Sequence, residues 1–251
     1  MTTTALRVDH LVKSFGGLKV LTDVHFDVPA GQKLALIGPN GAGKSTLINV
    51  IGGQLPATGG EVYLGDLKIT HMSPNKRLHM GLGRSYQVNN LFFHLSLQNN
   101  MLLALHGAEH NHFQMYRSLE KRKDLVEKVE KMTEAVGLYE KRHDPLGTLS
   151  YGDQRLVELL FAYTADPQLV LLDEPSAGLP TAEAIAFANK IRALNGETTL
   201  LFCAHDMDLV FNLADEIIVL CFGEIMTRGS CDDVSCDPKV REIYLGTDED
   251  A

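Results

Sequence analysis

Residues 38–45 read Gly-Pro-Asn-Gly-Ala-Gly-Lys-Ser and fill every position of the pattern G-x-x-x-x-G-K-[ST]. The apolar run Lys33-Leu-Ala-Leu-Ile37 precedes it and Ser45-Thr-Leu-Ile-Asn-Val-Ile51 follows, so the glycines fall in a strand-to-helix turn. A chain with this junction must fold so that a buried strand delivers a helix N-terminus to a ligand. Gly38, Gly41 and Gly43 let the backbone curl, aiming successive N–H groups and the positive end of the helix dipole at one point. That point suits an anion. The Lys44 ammonium can reach the β- and γ-phosphates, and the Ser45 hydroxyl can join the shell of a bridging Mg²⁺. The segment expected to contact a nucleoside triphosphate is therefore Gly38, Pro39, Asn40, Gly41, Ala42, Gly43, Lys44, Ser45 and Thr46.

Around this loop, residues 5–37 alternate polar and apolar with glycine turns at Gly16-Gly17 and Pro29-Ala-Gly31, which predicts a small antiparallel sheet leading into the loop strand. A further short strand is expected over Glu61–Leu64. From about Ser96 to Tyr163 the texture becomes helical, with Leu125, Val129, Met132 and Val136 at helical spacing. Short apolar runs then return at Leu169–Leu172, Thr198–Cys203 and Ile217–Leu220, separated by a helix over about Ala182–Leu194, the pattern of a largely parallel sheet covered on both faces. The fold class is α/β: a mostly parallel core sheet, an N-terminal antiparallel part and an inserted helical part.

The 251 residues are 45% hydrophobic, enough for a full α/β core without demanding a second domain. A net charge of −9 argues against a general nucleic-acid binder, so no nucleic-acid partner is expected. Cys203, Cys221, Cys231 and Cys236 have no zinc spacing and suit reduced thiols. No run approaches the roughly 20 apolar residues that a spanning helix needs. His106, His110 and His112 are close in sequence, but no further ligand is placed by spacing, and a solvated loop accounts for them.

A triphosphate site needs a second metal-directing carboxylate at the end of a neighbouring strand, and the run Leu169–Leu172 delivers Asp173 there. Glu174 follows, placed to orient and deprotonate an attacking water. Ser150 precedes the helical run Leu156, Val157, Leu159 and Leu160 and reads as an N-cap, with free N–H groups beyond it.

These segments, with Gln87 after Leu82-Gly-Arg-Ser-Tyr86, Leu149-Ser-Tyr-Gly-Asp-Gln154, Ser176-Ala-Gly-Leu179 and Ala204-His205-Asp206, stand in an order that resembles the ATP-binding subunits of ABC transporters. The resemblance covers essentially the whole chain. It implies a RecA-like P-loop NTPase core at 1–87 and 165–251, a helical subdomain at 88–164, and together one ATP-binding domain over 1–251. It implies ATP and Mg²⁺ as cofactors, with Ser45, Gln87 and Asp173 at the metal. Phe15 matches the aromatic that stacks on adenine; taken alone it would be a hydrophobic hairpin residue. Gln87 resembles the glutamine that touches Mg²⁺ and hinges the helical part. Glu174 resembles the catalytic base, and His205 the histidine that contacts the γ-phosphate and holds the water. Ser150 and Gly152 would act in trans, capping the γ-phosphate on the P-loop of a second ATP-binding subunit, identical or paralogous.

The wording Leu149-Ser-Tyr-Gly-Asp-Gln-Arg155, Lys13-Ser-Phe-Gly-Gly-Leu-Lys19, His205-Asp-Met207 and Tyr244-Leu-Gly246 is similar to ATP-binding subunits of branched-chain amino acid importers. That likeness implies ATP hydrolysis at the cytoplasmic, inner face of the cell membrane, docked peripherally on two membrane permease subunits and served by a solute-binding protein. Two alternatives share the chemistry: an export or lipid-handling ATPase, and a soluble non-transport ABC ATPase. The chain departs from the usual pattern at Tyr151, Asp153, Pro180 and Ala204. It also departs at Leu91-Phe-Phe-His94, which lacks a usual proline, and at Gln98-Asn-Asn100, on the face that would meet the membrane subunit.

Overall fold

A computed structural model describes residues 3–85, 91–109, 119–195 and 198–240. Two long strands, β1 (Thr4–Phe15) and β2 (Leu18–Pro29), form a hairpin, and β3 (Lys33–Ile37) leads into α1 (Lys44–Gly52). Next come β4 (Gly59–Leu64), β5 (Leu67–Lys68), α2 (Pro74–His79) and β6 (Leu82–Arg84). Three helices occupy the middle: α3 (Leu97–Ala108), α4 (Lys123–Ala135) and α5 (Tyr151–Ala162). The chain returns to β7 (Leu169–Asp173), α6 (Thr181–Asn195), β8 (Thr199–Cys203), α7 (Met207–Leu213), β9 (Glu216–Cys221), β10 (Glu224–Gly229) and α8 (Cys231–Cys236).

The strands make two sheets. One is antiparallel with order β2-β1-β4-β5; the other runs β10-β9-β3-β8-β7-β6. In the second, β9, β3, β8, β7 and β6 are parallel, and β10 pairs antiparallel at the edge. The expected division into an N-terminal antiparallel part and a mostly parallel core is present. β7 and β8 are buried along their whole length, because a parallel sheet covered on both faces has no solvent side.

Alternate residues of each core strand feed two apolar clusters. Leu34 and Leu36 join Leu6, Val24, Leu47 and Ile51 between the two sheets. Ala35 and Ile37 point the other way, into the cluster of Leu102, Val129, Leu160 and Phe202 formed with the helices. Each fully buried leucine contributes about 1.5–3 kcal/mol relative to exposure. The helical segment thus shares one continuous core with the parallel sheet.

His106 itself does not lie in the solvated loop that sequence suggested. His106 lies in the last turn of α3, with Nδ1 3.0 Å from Glu109 Oε2, and Arg122 pairs with the same carboxylate at 2.7 Å. His110 and His112 fall outside the described residues, as do Tyr86, Gln87 and the segment Tyr244–Gly246. The four cysteines are unpaired, with Cys203 fully buried in β8.

Candidate active site

Parallel strands end on one edge of the sheet, so the residues following β3, β7 and β8 collect there although they are far apart in sequence. Asn40 to Thr46, Val20, Glu174 and His205 line a cleft of about 240 Å³ on this edge. Its floor is the loop between β3 and α1. Gly38 has φ 151, and a Cβ there would sit 2.1 Å from the Leu220 carbonyl oxygen. A Cβ at Gly43, φ 103, would meet Leu21 Cδ2 at 2.9 Å. Both glycines are therefore required by close packing against β9 and β2. The loop is tied from outside as well: Gly223 N–H donates to Ala42 O at 3.0 Å, and Gly223 O accepts from Thr22 N–H at 2.8 Å.

No side chain caps the N-terminus of α1 and no acidic residue stands in its first turn, which favours an anion at that end. Lys44 is buried and donates to the carbonyls of Gly38 at 2.7 Å and Pro39 at 3.0 Å. Burial lowers its pKa, opposed by the nearby Cys203, Glu174 and Asp173. The Ser45 hydroxyl donates to Asp173 Oδ1 at 3.3 Å. Burial raises the Asp173 pKa, opposed chiefly by the Arg84 guanidinium. Burial also pushes the Cys203 thiol well up, which keeps it protonated beside the carboxylates.

Two hard oxygen ligands on one octahedral Mg²⁺, each at about 2.0–2.1 Å, lie about 3 Å apart. The Ser45 and Asp173 oxygens, 3.3 Å apart and both hard donors, fit such an ion.

Glu174 adopts φ +51, the left-handed region that a non-glycine residue enters at a cost. Its N–H donates to Cys203 O at 3.0 Å, which anchors it to the end of β8. From there its Oε1 lies 3.0 Å from His205 Nε2. Phe15 ends β1 half exposed, with Lys13 Nζ 4.6 Å from its ring centroid. The structure brings Gly38–Thr46, Asp173, Glu174 and His205 together at the sheet edge.

Ser150 and Gly152 are elsewhere. They line a separate hollow of about 180 Å³ with Asp153, Leu179, Glu183 and Lys190. Ser150 caps α5 by accepting from Asp153 N–H at 3.2 Å. Asp153 pairs with Lys141 at 2.7 Å, so its carboxylate is held by its own chain. The Tyr151 hydroxyl accepts from Arg155 Nε at 2.9 Å and donates to Ala177 O at 3.1 Å, fastening the α5 N-terminus to the segment before Gly178.

Sequence reasoning missed the residues that hold α1 from behind. Arg77 is buried and donates to Val50 O at 2.8 Å, Ile51 O at 2.5 Å, Thr70 O at 2.8 Å and Met72 O at 3.0 Å. Burial lowers its pKa to about 10. Arg84 donates to Ile48 O at 3.2 Å and Asn49 Oδ1 at 2.8 Å. Two cations at a helix C-terminus complement its dipole and satisfy its last carbonyls.

The ABC transporter family profile matches residues 21–177, a span that runs from the second strand of the hairpin through the P-loop and the Asp173-Glu174 pair. The chain belongs to the ABC transporter family. It is 34% identical over 253 residues to the probable branched-chain amino acid transport ATP-binding protein LivG of Methanocaldococcus jannaschii, covering 98% of each chain. It is 31% identical to the high-affinity branched-chain amino acid transport ATP-binding protein LivG of Escherichia coli K12, covering 98% of this chain and 99% of that one. The ADP conformation of an ATP-binding cassette of an ABC transporter superposes with a TM-score of 0.87 at 34% identity, covering 98% of this chain and all of that one. This cassette is an ATP-binding ATPase related to the ATP-binding proteins of branched-chain amino acid transport. Among the described residues, no helix is long and apolar enough to cross a membrane.

Proposed function

We propose that the cassette powers import of branched-chain or other hydrophobic amino acids, as one of two ATP-binding subunits docked on two membrane permease subunits at the cytoplasmic face of the membrane. A solute-binding protein delivers the amino acid. The observation that carries the dimeric part is the separation of two surfaces on one chain. The P-loop cleft holds Lys44, Glu174 and His205, while Ser150 and Gly152 line a different hollow. Two chains packed head to tail bring each hollow to the other's cleft. The names of the relatives support the solute class.

In this reading Lys44 exchanges its two carbonyl acceptors for the β- and γ-phosphate oxygens of ATP, and the N-terminal amides of α1 cradle the chain of phosphates. Phe15 stacks on adenine. Ser45, Asp173 and Gln87 hold Mg²⁺, which when bound neutralises charge developing on the phosphates. Glu174 accepts a proton as the water oxygen bonds to the γ-phosphorus and the bond to the ADP oxygen breaks. His205 positions that water and the γ-phosphate. The Ser150 hydroxyl caps α5 as an acceptor and keeps its own hydrogen to donate to the partner's γ-phosphate. Loss of the γ-phosphate removes these contacts and opens the pair.

Light scattering with ATP tests the clamp. Glu174→Gln should shift from monomer to dimer mass on adding Mg-ATP, and a second substitution, Gly152→Asp, should abolish the shift. Two variants that behave alike would overturn the trans role of the α5 N-terminus. Coexpression tests the partners: recovery with a permease pair and a solute-binding protein is expected, and recovery with lipid-handling subunits instead would sink the import assignment.

A further inference from the structure

On the outer face of the antiparallel sheet, outside the residues that line the P-loop cleft, Asp9, His10, Asp23 and His25 stand side by side. A regular strand shows only alternate residues to one face. Here the pairing of β1 with β2 is irregular between Val8 and Leu11 and again between Leu11 and Lys13. The extra residue in β1 turns the neighbours Asp9 and His10 outward together, while Asp23 and His25, two apart on β2, share that face through the ordinary alternation. Bulges re-aim side chains in this manner. His10 has φ 48 and Asp23 φ 56, both in the left-handed region. The neighbouring strand accommodates the first bulge only through Gly60, where a Cβ would lie 2.1 Å from the His10 carbonyl oxygen.

One ligand atom each from Asp9, His10 and His25 lies within 4.8 Å of the others. Asp9 Oδ1 is 3.3 Å from His25 Nδ1 and 3.9 Å from His10 Nε2. Ligands on one tetrahedral ion with bonds of about 2.0–2.1 Å are about 3.4 Å apart. The first separation already matches, and closing the rest needs pivots of about an ångström in exposed side chains. The two imidazoles are stacked with centroids 5.2 Å apart, so one ring must turn out of the stack to share an ion.

A second observation points to a ligand. His10 Nδ1 lies 2.5 Å from Asp23 Oδ1. A carboxylate that accepts the hydrogen bond from Nδ1–H of the neutral ring fixes the tautomer and leaves the Nε2 lone pair outward, on the side of Asp9; this is the outer-shell arrangement typical of metal-ligating histidines.

We propose that Asp9, His10 and His25 form a site for a borderline divalent transition metal of the zinc type, with Asp23 orienting His10 and water completing the shell. Two imidazoles and one carboxylate suit zinc and disfavour the hard cation Mg²⁺, which separates this site from the one at Ser45 and Asp173. The ion would pin β1 to β2 at their bulges, along the hairpin that presents Phe15.

Calorimetry with ZnCl₂ alone on the full, nucleotide-free chain tests the site, with MgCl₂ as control. One zinc per chain and no matching magnesium heat are expected. His25→Gln should weaken zinc binding at least 10-fold, and Asp23→Asn, which keeps the left-handed backbone, about 10-fold or more. Circular dichroism and ATP affinity, unchanged in both, would show that the fold is intact. Absence of zinc binding, or equal binding in the parent and the His25→Gln chain, would overturn the proposal.

Discussion

His205 Nε2 lies 3.0 Å from Glu174 Oε1 at the C-terminal edge of the parallel sheet, joining the residue after β7 to one just beyond β8. Each holds the other in the mouth of the P-loop cleft. Glu174→Gln keeps the shape and a hydrogen-bonding group but removes the proton acceptor. Its kcat for ATP should fall by about 10²–10⁴-fold, with KM changed little. Steady-state phosphate release measures both, and an unchanged kcat would remove Glu174 from the base role.

Lys44 spends its hydrogen bonds on Gly38 O and Pro39 O, and phosphate oxygens are the better acceptors for a buried ammonium. A charge-assisted bond of about 1.5–3 kcal/mol corresponds to roughly 10–100-fold in affinity. Lys44→Ala should weaken ATP binding by that factor in equilibrium titration, and equal affinities would contradict the phosphate cradle.

Burial raises the Asp173 pKa, so the folded chain holds this proton more tightly than the unfolded one. The stability linked to it is fully present below the ordinary aspartate value of about 3.9 and is lost as pH rises through the raised value. At neutral pH the charged carboxylate therefore opposes folding. Asp173→Asn should raise the Tm of the nucleotide-free chain at pH 7 by roughly 2–4 °C for each kcal/mol removed. Calorimetry should find that advantage shrinking as pH falls toward 4, while Mg-ATP hydrolysis is lost at every pH.

Arg77 supplies donors to four backbone carbonyls, two of them at the C-terminus of α1. Arg77→Met fills similar space but removes the donors to four carbonyls, leaving Val50 O with only the Gly53 N–H, at a cost of about 3 kcal/mol or more. Urea unfolding should register that loss, and the KM for ATP should rise because the other end of α1 is the proposed phosphate cradle. Arg77→Lys should recover only part of the stability, since an ammonium lacks the planar fork.

The local chemistry was legible because it depends on spacing within a few residues. Gly38 to Ser45 between a strand and a helix, the carboxylates ending β7 and the N-cap at Ser150 all follow from backbone geometry over one or two turns. The amphipathic period through Leu125 and Val129 announced α4 for the same reason. His106 was misread because its partner Glu109 also pairs with Arg122, 13 positions further on, a contact that spacing does not announce. The arginines behind α1 were invisible: Arg77 is 26 residues from Ile51, and nothing near it marks a buried cation. The bulges that gather Asp9, His10, Asp23 and His25 depend on cross-strand register, which a period-two pattern does not encode.

By itself, the sequence determined that this chain presents a glycine-led helix N-terminus suited to phosphate, a strand ending in paired carboxylates and a histidine after another buried strand. Only the tertiary structure decided that these meet. Ser45 and Asp173 are 128 positions apart, and they touch because β3, β8 and β7 lie side by side in parallel register. The same packing put Ser150 and Gly152 away from the P-loop of their own chain. Parallel neighbours are joined through long crossovers, so strand order is chosen by how whole layers bury their apolar faces and not by the residues that flank each strand.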